Sequence, residues 1–581
     1  MEKTYDHKKV EENIYKSWEE KGYFKPEVNP NNAPYSIILP PPNANAPLHF
    51  GHAMYVIEDI LIRYHRMKGA AALWLPGADH AGFETQFVFE KHLANEGKSR
   101  FDYDRETLYQ MIWDFVQKNR GGMESQLRKL GFSLDWTRAK FTLDPDIVAI
   151  VYKTFKKLYD DGLVYRAKRL VNYCTYDGTS FSDLEVVMKD TTGILYEISY
   201  PVKSVGEIIV ATSRPETMYG DAAVMVHPED SRYKNLIGKS VLIPLSDREI
   251  PIIADEFVDK DFGTGAVKVT PLHNFDDWEV GQRHKLSGLQ VIGFDGKLQN
   301  TGVVDGLFTK EARKKTIELL EGKGFLRGEK GYDTTRRLCY KCKNVLEPLP
   351  MEQWFVKMEP LVNSAIDAVR KGRIKIIPAS FKKIYFQFLE NIRDWNISRQ
   401  IVWGIRIPAW FCEKCLNWTV TDGITPENCS KCESKDIQQD TDTFDTWFSS
   451  AQWPFATLLE NSSDFQRFYP TTVMETGYDI LRWWVARMVM VGLYATGKVP
   501  FENIVLHGLV KDPYGKKMSK SRGNVVNPIE LVEQYGADAV RFALVYGTAL
   551  GNDQALSYAK LQGMSNFTNK LWNIGRFIEM N

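Results

Sequence analysis

The sequence predicts an α/β protein: a Rossmann-like parallel sheet, interrupted by a mostly-β insertion, carrying a zinc ribbon and finishing in helices. Three observations predict it. Residues 35–42, Tyr-Ser-Ile-Ile-Leu-Pro-Pro-Pro, read as a short apolar strand stopped by prolines, and residues 48–67 then show helical spacing without proline. From about 190 to 335 the texture changes to short β-rich runs, such as Ile208-Ile209-Val210-Ala211 and Ala266-Val267-Lys268-Val269, between Gly and Pro turns. Finally, Cys412-x-x-Cys415 and Cys429-x-x-Cys432 have the spacing of a four-thiolate zinc site.

The elements follow in order. His49-Phe50-Gly51-His52 falls where the first strand gives way to a helix. Backbone N–H groups and the helix dipole at such a junction favour phosphate, and ligands of parallel sheets lie at the carboxyl ends of the strands. After the β-rich stretch, residues 345–505 return to helices and apolar strands. Beyond Ala537 helical spacing dominates, with Phe567, Leu571, Ile574 and Ile578 forming an apolar stripe.

Composition bounds the class. A chain of 581 residues is long enough for several domains, and 44% hydrophobic with 25% charged residues describes a globular protein. No apolar run is long enough to span a bilayer, and the first residues carry no apolar signal core, so no membrane partner and a cytoplasmic location are expected. Net charge is zero, so any nucleic-acid surface must be local: Lys382, Lys383, Arg393, Arg399 and the stretch 516–522 could supply one. Seven cysteines, six of them in C-x-x-C pairs, point to zinc rather than to disulfides.

The second informative stretch, Lys517-Met518-Ser519-Lys520-Ser521, lies near the other end of the chain in a loop before Arg522-Gly523-Asn524. With His49 to His52 it resembles the HIGH and KMSKS signatures of class I aminoacyl-tRNA synthetases. Their chemistry, attack of an amino-acid carboxylate on the α-phosphate of ATP with loss of pyrophosphate, depends on positioning and charge stabilisation. His49 and His52 suit the α-phosphate side and Lys517 and Lys520 the leaving group. Gly51, Met518 and Ser519 complete the expected ATP-binding residues, with Mg²⁺ implied by the ATP chemistry.

The resemblance covers essentially the whole chain, and further segments look like the valyl-tRNA synthetase versions of the shared motifs: Gly77-Ala78-Asp79-His80-Ala81-Gly82, the stretch 390–400 around Arg393-Asp394-Trp395, Asp445-Thr446-Trp447-Phe448-Ser449-Ser450, and Thr476-Gly477-Tyr478-Asp479-Ile480. It implies that Pro42, Trp447 and Ile480 line a small apolar amino-acid pocket. Asp79 and the Asn43 backbone would hold the ammonium group, with Asp479 also at the amino acid. The sequence departs from the family pattern at Phe50, at Ala44-Asn45-Ala46-Pro47, at Ile405 and at Asn274.

A pocket that fits valine cannot strongly reject nearly isosteric threonine; discrimination of about 10² for the valyl enzyme is the worked example of this limit. A hydrolytic editing site is therefore expected, and the β-rich insertion resembles one. Thr212, Arg214 and Thr217 fall in the threonine-rich segment, Lys268 and Thr270 on its other wall, and Asp277 matches the carboxylate that grips the misacylated amino acid's ammonium. Thr and Lys side chains are expected to hold the threonine hydroxyl.

The Cys412, Cys415, Cys429 and Cys432 set should be structural Zn²⁺. Cys339-x-x-Cys342 is a second half-site, with Cys174 and Asp177 as its partners, flanking the insertion. The expected organisation is 1–188 as the first half of the catalytic domain, 189–338 as the editing insertion, 339–505 as the second half with the ribbon at about 410–435, and 506–581 as the signature loop and stem-contact helices. The expected substrates are valine, ATP and tRNA(Val), handled by a monomer. Because the family continues into an anticodon-binding domain, a shortened chain that activates valine but charges tRNA poorly is expected. The alternatives are an isoleucyl enzyme and a tRNA-binding paralogue that no longer aminoacylates.

Overall fold

The computed structural model describes residues 2–203, 206–459, 462–516, 518 and 526–581. The chain packs as two compact units. The first comprises residues up to Tyr165, Val356–Trp395 and Ile401–Asn581; the second comprises Arg166–Phe355 and Asn396–Gln400.

The first unit is built on a five-stranded, all-parallel sheet: β1 (Pro34–Ile38), β2 (Ala71–Leu75), β3 (Lys375–Ile377), β4 (Thr471–Gly477) and β5 (Phe501–His507), in the spatial order β3-β5-β4-β1-β2. Ile37 is the register point, paired with Trp74 on one side and Val473 on the other. Every residue of β2, Ala-Ala-Leu-Trp-Leu, is buried, as expected of a parallel strand covered on both faces. From β1 the chain steps to β2 on one side, and from β4 to β5 on the other. The strand order therefore reverses between β1 and β4, which puts a ligand crevice at their carboxyl ends. Residues 39–52 and 478–480 leave the sheet there.

The expected uninterrupted helix over 48–67 is two pieces, Phe50–Ala53 and Val56–Met67. His49 caps the first piece. Between them Met54 and Tyr55 bond back three residues, to Gly51 and His52, which tightens the turn and re-aims the chain. The Tyr55 hydroxyl donates to the Pro40 carbonyl at 2.8 Å and ties this turn to the end of β1. Val56–Met67 buries Val56, Asp59 and Ile62 on one face. Asp59, wholly buried, accepts from Arg63 and from the Ser133 backbone and hydroxyl, and pairs with Arg541 of the helix Ala537–Val545.

The second unit is mostly β. A seven-stranded sheet is dominated by a long antiparallel pair, Val186–Val202 with Leu326–Cys339. Ala223, Met225, Val258, Val269 and Val280 form a core beside the strands Ala223–Val226 and Ala266–Val269. The unit is wider than 189–338 because groups outside that span complete its packing. Glu347 pairs with Arg214 at 2.6 Å, and Gln353 accepts from the Ser180 hydroxyl at 2.8 Å.

Candidate functional site

At the crevice, His49 and His52 are arranged by backbone hydrogen bonds. Gly51 N–H donates to His49 Nδ1 at 3.0 Å, and His49 N–H donates to His52 Nδ1 at 3.1 Å. Each Nδ1 is thus an acceptor, which fixes both rings as Nε2–H tautomers. The rings stack with centroids 4.0 Å apart. Burial, and then the neighbouring His49, hold the His52 pKa well below the ordinary histidine value. His52 thus stands uncharged beside the β1/β4 switch point.

Of the expected amino-acid residues, Pro42, Asn43 and Asp79 are brought together. Asn43 and Asp79 form a parallel bridge, with Asp79 N–H donating to Pro42 O and Ala44 N–H to Asp79 O, both at 2.9 Å. Asp79 is buried. Its Oδ1 accepts from Ala81 N at 3.0 Å and Thr142 Oγ1 at 3.1 Å, with Thr446 Oγ1 at 3.5 Å, leaving Oδ2 without a protein donor among the described residues. Thr446 is next to Trp447, which packs on Trp483 at 5.7 Å. Across the switch point, Asp479 and Ile480 follow β4. A Cβ on Gly477 would lie 2.7 Å from Asp479 Oδ1 and 3.5 Å from His507 Nε2, so both groups crowd over the bare Cα.

Sequence reasoning missed the support of this region. His507 ends β5, and its Nδ1 lies 2.5 Å from Glu475 Oε1 of β4. Burial disfavours its charge, but the Glu475 carboxylate outweighs burial and raises its pKa. Glu58 is driven well above the carboxylate range by burial and by Glu475. A polar residue at the last positions of an otherwise apolar strand, as in Thr471–Gly477 and Phe501–His507, was the available signal. Lys517, Ser519 and Lys520 lie outside the described residues.

In the second unit Thr217, Lys268, Thr270 and Asp277 form one buried cluster with an unexpected centre. Lys268 Nζ donates to Thr217 Oγ1 at 2.9 Å, to Asp221 Oδ1 at 3.0 Å and to Thr270 Oγ1. Asp221 was not anticipated; it lies 47 positions from Lys268 in a segment without a motif. Asp277 accepts from Thr270 N–H at 2.8 Å, and burial pushes its pKa up to about 6. Asn274, at its departure from the family pattern, accepts from the N–H groups of Asp276 and Asp277 and caps the helix Phe275–His284. Arg214 is tied to Glu216 at 3.1 Å and Glu347 at 2.6 Å, and Thr212 Oγ1 accepts from Arg214 N–H.

Both cysteine sets converge. In each, every ligand atom lies within 4.8 Å of the others. Cys412 and Cys432 sulfurs are 3.6 Å apart and Cys415 and Cys429 3.5 Å, near the roughly 3.8 Å edge of a tetrahedron with Zn–S of about 2.3 Å. In the second set Cys174 and Cys342 are 3.5 Å apart, and Asp177 Oδ2 is 3.0 Å from Cys174 and 3.1 Å from Cys339. All four half-sites share one turn. The residue after the second ligand, Gly178, Lys343, Leu416 or Glu433, has positive φ and donates its N–H to the carbonyl of the first cysteine. Asp177 thus occupies a knuckle position that a cysteine fills in the other three, and both sets fit a tetrahedral thiolate-seeking metal.

A parallel sheet that reverses order at β1/β4, with two Nε2–H imidazoles and the buried Asp79 carboxylate following its strands, is an α/β fold with a candidate ligand site at the reversal. The chain belongs to the class I tRNA synthetases: the family described as tRNA synthetases class I (I, L, M and V) matches residues 13–557. Similar curated proteins are the valine--tRNA ligases of Dehalococcoides mccartyi (strain 195), 47% identical over 586 residues, and of Clostridium acetobutylicum, 46% identical over 586 residues. The alignments cover 100% of this chain and 66% of each relative, so the chain spans just under two thirds of their length. Among solved structures, that of the Agrobacterium radiobacter K84 agnB2 LeuRS in ternary complex with tRNA and LeuAMS shares the fold. Its TM-score is 0.57 at 20% identity, over 97% of this chain and 75% of that one. Among the described residues no helix is long and apolar enough to cross a membrane.

Proposed function

We propose that this chain activates valine with ATP, as the catalytic part of a valine–tRNA ligase that transfers the amino acid to the 3′ end of tRNA(Val) in the cytoplasm. The observation that supports the reading is that the His49–His52 pair and the Asn43–Asp79 bridge both follow the carboxyl ends of β1 and β2, beside the switch point. The valine carboxylate attacks the α-phosphate and the bond to pyrophosphate breaks. His49 and His52 donate Nε2–H to phosphate oxygens, which stabilises charge that grows in the transition state. Asp79 Oδ2 takes the substrate ammonium, while Pro42, Trp447 and Ile480 exclude water and larger side chains. Lys517 and Lys520 follow the leaving pyrophosphate. Mg²⁺ is implied by the ATP chemistry and would neutralise charge on the phosphates.

The second unit hydrolyses the ester of misactivated threonine: Asp277 holds the ammonium, water adds to the ester carbonyl, and the tRNA 3′ oxygen leaves. Both cysteine clusters hold structural Zn²⁺. Amino-acid-dependent exchange of pyrophosphate into ATP tests the first reading, with valine as the expected substrate and isoleucine inert. Hydrolysis of threonyl-tRNA but not valyl-tRNA tests the second.

A further inference from the structure

The Lys268 cluster carries more than its expected residues. A lysine ammonium has three protons, and here they go to Thr217 Oγ1, Asp221 Oδ1 and Thr270 Oγ1. A threonine hydroxyl has one. That of Thr217 goes to the Arg214 carbonyl at 2.9 Å, and that of Thr270 to Asp221 Oδ1 at 2.6 Å. The other carboxylate oxygen of Asp221 takes the Tyr200 hydroxyl at 2.8 Å. Asp221 is wholly buried and Lys268 nearly so, so water does not redistribute these bonds. Every polar hydrogen on Lys268, Thr217 and Thr270 is thus committed within the protein. What each threonine oxygen retains is a lone pair.

We propose that Asp221 sets the hydrogen-bond polarity of this pocket. By drawing the protons of Lys268 and Thr270 to itself it leaves the cluster only acceptors, so the pocket selects aminoacyl esters whose side chain donates a hydrogen bond. Threonine fits because its hydroxyl has a proton to give. Valine does not, and neither does an isostere that can only accept. On this reading Lys268 serves by orienting the two threonine oxygens that receive the hydroxyl proton. Asp221 is a positioning residue here, since it acts through Lys268 and Thr270.

The proposal rests on the hydrolytic reading of the second unit, and the test separates the two. Purified protein is given tRNA(Val) precharged with threonine, with 2,3-diaminobutyrate (a donor-only β-ammonium in place of the hydroxyl), with 3-fluoro-2-aminobutyrate (an acceptor in place of it), or with 2-aminobutyrate. Enzyme-dependent hydrolysis is read above the spontaneous rate. The threonyl and diaminobutyryl esters should be hydrolysed at least about tenfold faster than the other two, as one hydrogen bond to a charged or buried partner allows. A fluorinated ester hydrolysed like threonyl, with the diaminobutyryl ester resistant, overturns the proposal and leaves the editing reading standing. Failure to hydrolyse threonyl-tRNA overturns both.

The variants add a second readout. D221N frees the Thr270 proton, so preference for donor over acceptor side chains should collapse. Y200F keeps the Asp221–Lys268–Thr270 bonds and should keep the preference. Valine-dependent pyrophosphate exchange should stay at the wild-type rate in both. Retained preference in D221N, with exchange intact, contradicts the role given to Asp221.

Discussion

Gly77 gives a prediction that can be worked from distances. It lies two residues before Asp79, on the short strand Gly77–Ala78 that pairs with Lys140–Phe141. A Cβ placed on it would stand 2.1 Å from Cζ2 and 2.9 Å from Cη2 of Trp453. Carbon atoms rest at about 3.5–4.0 Å, so roughly 1.5 Å must be found. The Trp453 ring has nowhere to yield: it is 1% exposed, and its indole N–H donates to the Leu39 carbonyl at 3.2 Å, at the end of β1. Either the ring leaves Leu39 or the strand leaves the Asn43–Asp79 bridge, and both distort the amino-acid pocket proposed above. Overpacking costs about 1–3 kcal/mol and the lost hydrogen bond about 0.5–1.5 kcal/mol, so G77A should lose on the order of 2–4 kcal/mol. A placement error near 1 Å lowers turnover about 10²-fold. The assay is valine-dependent pyrophosphate exchange beside thermal melting. G121A and G122A serve as controls, because both glycines lie in the helix Arg105–Lys129 with open space at the Cβ position and should gain up to about 1 kcal/mol. G77A with wild-type exchange and an unchanged melting temperature would refute the reasoning.

Other predictions follow from the same geometry. Burial holds the Asp277 carboxyl at about 6, so the ammonium grip proposed for it should be present above that pH and lost below it; threonyl-tRNA hydrolysis should rise through pH 6 in the wild type, and D277N should be slow and flat with pH. The same raised pKa works against stability as pH rises from the unfolded Asp value near 4 towards 6, because the unfolded chain releases this proton first, so D277N should narrow the stability difference between pH 4 and pH 6 measured by denaturant unfolding. R541A leaves wholly buried Asp59 with Arg63 and Ser133 alone and should cost about 3 kcal/mol, seen as an earlier unfolding midpoint; a change under about 0.5 kcal/mol contradicts the weight given to that pair. Metal analysis should find zinc bound, C412S should lose the ribbon ion while keeping the second, and D177C should tighten the second site; no zinc in the freshly purified wild type would sink both sites.

How much was legible depends on sequence distance. His49 and His52 could be placed because strand, prolines and helix lie within thirty residues, and the ribbon because its four cysteines lie within about twenty. Asn43 and Asp79 meet because β1 and β2 are neighbours in parallel register, a pairing that βα spacing implies. The Lys268–Asp221 bond was not legible, since Asp221 joins it only after Ala223–Val226 pairs with Ala266–Val269. The Glu475–His507 contact depends in the same way on β4 lying beside β5. The break at Met54–Tyr55 was hidden because apolar spacing stays helical through it, while the three-residue backbone bonds and the Tyr55–Pro40 hydrogen bond that mark the turn leave no trace in the spacing. In the sequence Asn274 is only a departure from the family pattern; in place it is a helix cap, a role Asn fills as well as Asp.

The central claim is that this switch point activates valine. The direct measurement is exchange of labelled pyrophosphate into ATP by the purified chain with valine, threonine or isoleucine as the only amino acid. Rapid exchange with valine, exchange about 10²-fold less efficient with threonine and none with isoleucine is the predicted result. Exchange driven by isoleucine, or independent of any amino acid, contradicts it.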